Sequence, residues 1–179
     1  MKSRKQIFIS YRRSDEPGYA GWLYQLIEEE IGKEKIFKDI EGGFWDGDDF
    51  PDEIYRIIKE VKLIIAVIGP SWLVAKDKHG QRRLDDPNDW VRIEIANALK
   101  LKKRVIPVLV NDAEFFQATA LPNDLKPLAR KHVRRLSVDR FAQDAKILIS
   151  NIPSLIANSD VDRPTEVDSS SPKGEQNGV

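Results

Sequence analysis

Cysteine is absent from this chain, so neither a disulfide nor a thiolate metal site is open to it. Histidine is nearly absent. His79 and His132 lie far apart with no ligand-like spacing, which argues against a histidine-built metal centre. Net charge is lacking too: 29 basic residues balance 29 acidic ones. Bulk binding to nucleic acid or to a membrane surface is therefore not expected, although a local basic patch is compatible with this balance. No apolar run approaches a bilayer span, and the opening MKSRKQIFIS has no apolar leader core. The expectation is a cytoplasmic protein with no membrane or nucleic-acid partner.

Several chemical signatures are missing as well. There is no GxxxxGKS/T and no GxGxxG, so neither a P-loop nor a dinucleotide-binding Rossmann turn is present. Response-regulator chemistry needs clustered aspartates after the first strand, where this chain reads SYRRSDE. GxSxG does not occur, which disfavours a serine hydrolase.

What is present suits one globular domain with a tail: 179 residues, 41% hydrophobic and 32% charged. A domain of ~150 residues buries roughly 70% of its unfolded surface and needs no covalent staples. Residues 6–10 (QIFIS) read as a buried first strand, followed by the turn residues Tyr11, Arg12, Arg13, Ser14, Asp15 and Pro17. A helix is expected over 18–31, with Trp22, Leu23, Leu26 and Ile27 on its apolar side and Gly32 closing it. Residues 35–39 (KIFKD) read as a lysine-flanked edge strand. Residues 41–49 (EGGFWDGDD) form a loop with three glycines and two aromatics that no local pattern buries.

A helix over 51–61 precedes KLIIAVI (62–68), a continuous apolar run expected of a central parallel strand covered on both faces. Residues 71–85 read as a polar connection containing Trp72. RVIPVLV (104–110) reads as a fourth strand, in which Pro107 lacks a donor and predicts a bulge or break. The segment 111–131 is irregular with a single turn near 122–128, residues 133–136 suit a fifth strand, and 141–152 a last amphipathic helix. Its apolar side is Phe141, Ala145, Leu148 and Ile149. The domain is expected over 1–156 and a disordered tail over 157–179, which is nearly free of large apolar residues. Strands alternating with helices predict an α/β fold with right-handed crossovers, and ligands then sit beyond the carboxyl ends of the strands. That rule gathers Tyr11 to Arg13, Asp39 with its glycine loop, and the corner from Pro70 to Trp72 on one rim.

The stretch over 85–101, DDPNDWVRIEIANALKL, is central. Asp86 suits an N-cap and Pro87 the first helical position. Val91, Ile95, Ala98 and Leu99 share a core-facing stripe, and Trp90, Glu94, Asn97 and Leu101 a second one beside it. Glu94 is the odd member, because no cation lies three or four residues away. On this segment alone two readings stay open: a solvated glutamate beside a half-buried indole, or a carboxylate set against apolar surface because it has work to do. Arg12 and Arg13 present the same choice between solvated turn residues and a pyrophosphate clamp.

FISYRR, IFKDIE and DWVRIEIANALKLKKRVIPVLV together resemble the TIR (Toll/interleukin-1 receptor) family, and the last stretch in particular the bacterial and animal branch that hydrolyses NAD. The resemblance covers about residues 5–152. It implies a flavodoxin-like three-layer fold with a parallel sheet of about five strands in the order 2-1-3-4-5. It also implies an NAD+ hydrolase giving nicotinamide and either ADP-ribose or, by cyclase activity, a cyclic isomer, acting in signalling or bacterial immunity, that uses NAD+ as substrate and needs no metal or cofactor. Glu94 matches the family's catalytic glutamate. Ser10, Tyr11, Arg12, Arg13, Asp39, Phe50 and Trp90 are the implied substrate-binding residues. The loop over 40–49 matches the family's BB loop, which implies Gly43, Phe44, Trp45 and Gly47 as loop and assembly residues. Many bacterial relatives carry a proline there and one residue fewer, and this chain reads GGFWDGDD instead. The implied partners are other TIR domains and a separate sensor or effector protein. The alternative is a non-catalytic TIR scaffold acting through homotypic assembly.

Overall fold

The structure is a computed structural model that describes residues 5–37 and 50–158, with backbone alone at positions 50 and 51. The glycine loop, with Asp39, Gly43, Phe44, Trp45 and Gly47, and residues 159–179 of the tail expected to be disordered lie outside the described residues, while Ala157, the first residue of that expected tail, ends the last helix. Among the described residues five parallel strands form one sheet: β1 (Ile7–Ser10), β2 (Ile36–Phe37), β3 (Leu63–Ile68), β4 (Arg104–Leu109) and β5 (Arg134–Arg135). Their order is β2-β1-β3-β4-β5, the flavodoxin-like arrangement expected from the sequence. Four α-helices among the described residues cover it: α1 (Pro17–Ile31), α2 (Phe50–Glu60), α3 (Trp90–Lys100) and α4 (Phe141–Ala157).

Alternation along the strands divides the core in two. Ile7 and Ile9 of β1 and Leu63, Ile65 and Val67 of β3 face α1 and α4, where they meet Leu23, Ile27, Leu148 and Ile152. Phe8 of β1 and Ile64, Ala66 and Ile68 of β3 face α2 and α3, where they meet Ile54, Ile58, Val91 and Ile95. All six β3 residues are buried, as a strand covered on both faces requires. Each large apolar side chain taken from water here contributes roughly 1.5–3 kcal/mol. The two-residue repeat also fixes Ser10, since it shares a face with Phe8 and must look toward α3.

The carboxyl rim is tied together by the turn after β1. Asp15 accepts hydrogen bonds from the backbone N–H of Gly69 (2.7 Å) and of Ser71 (2.8 Å). Glu16 accepts one from Asn111 Nδ2 at 2.6 Å. The turn lies so close that a Cβ at position 69 would stand 2.6 Å from Asp15 Oδ2 and closer still to Glu16 Cγ. A side chain at position 69 would have to displace both Asp15 and Glu16.

Several expectations are corrected. Pro107 makes no break: it pairs opposite Ala66 in an unshifted register running from Leu63–Arg104 to Ile68–Leu109. Pairing of β4 with β5 starts only at Val108, so the proline lies beside an unpaired part of that edge, where a missing donor costs little. Trp22 is not core. It is 44% exposed and stacks on Phe141 with ring centroids 4.4 Å apart. Trp72 does not line the rim but is buried, stacked on Phe116 at 5.2 Å. The helix α4 continues past residue 152 to Ala157 and carries Pro153 within it. The polar connection over 71–85 is ordered. Lys76 and Arg82 form an antiparallel bridge, Gly80 turns between them at φ 79°, and a short 3-10 turn follows at Arg83–Asp85.

Candidate active site

The helix α3 starts later than its sequence signals predict. Its N-cap is Asp89, whose side chain accepts from the Arg92 backbone N–H, and Trp90 is the first helical residue. Asp86 instead closes a turn, accepting from the N–H of Asn88 at 2.8 Å, while Pro87 precedes the helix. The decision is made 77 residues away. Arg12, at the end of β1, donates Nη1 and Nη2 to the two carboxylate oxygens of Asp89 at 2.9 and 2.8 Å. Both side chains are buried, and Arg83 adds Nε to Asp89 Oδ2 at 3.1 Å. A buried carboxylate so partnered offsets its loss of hydration, whereas one left alone would not. The Nε of Arg12 has no hydrogen-bond partner among the described residues.

With the helix start fixed, Glu94 falls over β1. It is 2% exposed and accepts a hydrogen bond from Ser10 Oγ at 2.6 Å. Of the two readings the helix left open, the solvated glutamate is therefore excluded. The neighbours Val91, Ile95 and Ala98 are buried as the stripe predicts. Trp90, one turn before Glu94, is partly buried and packs at the edge of the same core. It also lines a cavity of 510 Å³, bounded by the Lys76–Arg82 hairpin and the approach to α3, together with Lys76, Lys78, His79, Arg83 and Asp89.

The structure thus brings Ser10, Arg12, Trp90 and Glu94 to the junction of β1 and α3. Tyr11 is partly buried and packs toward the α1 and α4 side. Arg13 is exposed. Both terminal nitrogens of Arg12 are committed to Asp89, so the arginine holds α3. Phe50 opens α2, and Asp39 lies outside the described residues. The sequence places Asp89 as an anion near the positive end of the helix but does not show it as the cap or as the partner of Arg12, because a DPND run offers two aspartates as caps and only a distant arginine chooses between them. Among the described residues no group of histidines and carboxylates could hold a metal ion. No helix there is long and apolar enough to cross a membrane.

A family model described as TIR domain matches residues 7–148. The chain belongs to the TIR-domain family. It is similar to the NAD(+) hydrolase sarm1 of Drosophila melanogaster, 26% identical over 129 residues, which is 72% of this chain. That stretch spans only 9% of the fly protein's length. Two solved structures share the TIR fold. The TIR domains of the activated Roq1 resistosome, which recognises the pathogen effector XopQ, match with a TM-score of 0.57 at 15% identity, over 85% of this chain and 98% of theirs. A metazoan TIR-STING receptor from C. gigas, in complex with 2′,3′-cGAMP, matches with a TM-score of 0.52 at 22% identity, over 80% of this chain and 39% of its own.

Proposed function

We propose that this TIR domain is an NAD+ hydrolase that cleaves the nicotinamide–ribose bond, with Glu94 as its catalytic carboxylate. The observation that carries the reading is the buried Glu94, held by Ser10 at the carboxyl rim of the sheet. Similarity to an NAD(+) hydrolase supports it.

The chemistry suits one carboxylate. When the N-glycosidic bond breaks, its electron pair neutralises the pyridinium nitrogen, so nicotinamide leaves without needing a proton. Positive charge develops on the ribose instead, and an anion beside it lowers that barrier. In a site shielded from water the same charge acts more strongly. The Ser10 hydroxyl fixes one carboxylate oxygen, and Trp90 can stack on the cationic ring. Attack by water at C1′ gives ADP-ribose, nicotinamide and one proton. Attack by an adenine nitrogen of the same molecule gives a cyclic isomer.

A carboxylate that is 2% exposed meets a ribose only when the groups over it move aside. Assembly with other TIR domains, or binding of a separate sensor or effector protein, would supply that opening, and Phe44 and Trp45 in the glycine loop are the residues proposed to dock. The test is release of nicotinamide from NAD+ by concentrated wild-type protein and by Glu94→Gln. A homotypic scaffold without catalysis predicts no release from either.

A further inference from the structure

The Arg12–Asp89 pair leaves the dinucleotide's pyrophosphate in need of other cations, and the structure offers them nearby. We propose that the cavity between the Lys76–Arg82 hairpin and Trp90 is the phosphate subsite, with Lys76 and Lys78 as its contacts. This rests on the NAD+ reading of Glu94.

The placement follows from the substrate's own connectivity. The ribose whose C1′ bond breaks carries a phosphate on its C5′, so a phosphate site must lie within about one sugar of Glu94. Trp90 stands one turn before Glu94 on α3, about 6 Å along the axis, and it forms one wall of the 510 Å³ cavity. That volume suits part of a dinucleotide. The cavity's acidic residues accept bonds from the protein, Asp89 through both carboxylate oxygens and Asp77 and Asp86 through one oxygen each. Asp89 is held by Arg12 and Arg83. Asp77 accepts from the N–H of His79 and of Gln81, with the bond to Gln81 foremost in holding its carboxyl below the usual range. Asp86 accepts from Asn88. Lys76 and Lys78 are exposed and line the cavity without an ion pair among the described residues. The hairpin that carries them is pinned at its base, where Arg82 bonds to Asp85 and to the carbonyl of Ala120. The cations are therefore presented on an ordered support, as a binding site requires.

The test pairs binding with kinetics. ADP-ribose, which carries the pyrophosphate but no cleavable nicotinamide bond, is titrated calorimetrically into wild type, Lys76→Ala/Lys78→Ala, and a control of equal charge loss, Lys33→Ala/Lys126→Ala. The hairpin variant should bind ADP-ribose about tenfold more weakly than the control, corresponding to ~1.4 kcal/mol. Its KM for NAD+ should rise by a similar factor with kcat unchanged, and added salt should shrink the difference. Equal ADP-ribose affinity in hairpin variant and control overturns the subsite, even if NAD+ is cleaved. So does a wild-type protein that binds no ADP-ribose. Lysine-dependent binding without nicotinamide release would uphold the subsite and overturn the hydrolase reading.

Discussion

Ser10 and Glu94 stand 84 residues apart in sequence and share a hydrogen bond of 2.6 Å in the interior, hydroxyl donating to carboxylate. The contact exists because β1 turns Phe8 and Ser10 toward α3 while Ile7 and Ile9 face away. Replacing Ser10 with Ala deprives a buried carboxylate oxygen of its donor, a loss of about 1–3 kcal/mol. If Glu94 stabilises the ribosyl cation, Ser10→Ala should lower kcat about ten- to hundredfold with a small change in KM. Steady-state nicotinamide release checks this, and an unchanged kcat would detach Ser10 from catalysis.

Arg12 and Asp89 make the second long-range pair, and here stability is the readout. Asp89→Asn leaves the buried Arg12 guanidinium without its counter-charge and should destabilise the domain by about 3–5 kcal/mol, whereas Arg12→Gln leaves Asp89 its bond from Arg83 and should cost less. The double variant should cost less than the sum of the two, since the second change removes the charge the first one stranded. Urea unfolding of the four proteins measures the coupling. Simple additivity would mean that the pair is not coupled.

These two pairs mark what was legible in the sequence and what was not. The strands β1, β3 and β4 announce themselves as apolar runs, and the strand–helix alternation leads to the observed order β2-β1-β3-β4-β5. The stripe of Val91, Ile95 and Ala98 is readable from helical spacing alone. What local pattern cannot carry is partnership across the fold. Asp86 and Asp89 are equally good caps until Arg12 is placed beside one of them. Local pattern puts Trp22 on the apolar side of a helix and Trp72 in a polar connection, yet Trp22 is 44% exposed, stacked on Phe141, and Trp72 is buried against Phe116. Pro107 signals a break only if its edge is fully paired, which the short β5 does not do.

Asp15 should give the domain a pH signature. Burial, the largest influence, raises its carboxyl above the ordinary 3.8, against the opposing backbone bonds from Ser71 and Gly69. As pH rises past 3.8 the unfolded chain releases this proton first and the folded chain keeps it. The folded state therefore loses stability from this group between 3.8 and its higher folded value, and the loss is constant above that window. Asp15→Asn should lack this fall. Denaturant unfolding from about pH 3 to pH 7 compares the two slopes. A wild-type curve parallel to the variant's throughout would contradict the assignment.

Coupling of catalysis to assembly predicts a concentration effect. Specific activity should rise with protein concentration if the opening that the buried Glu94 needs is supplied by a neighbouring TIR domain, as proposed. Trp45→Ala should flatten the rise without lowering the melting temperature. Activity per molecule that is constant from dilute to concentrated wild-type protein would rule the coupling out.

The most direct test of the central claim is nicotinamide release from NAD+ by wild type and Glu94→Gln at the same high protein concentration. Glutamine keeps the shape of the side chain and an acceptor for Ser10, removes the negative charge, and turns one acceptor oxygen into an N–H donor. The account predicts nicotinamide from wild type, none above background from Glu94→Gln, and closely similar circular dichroism and melting for both. A Glu94→Gln protein that cleaves NAD+ at near wild-type rate would contradict it.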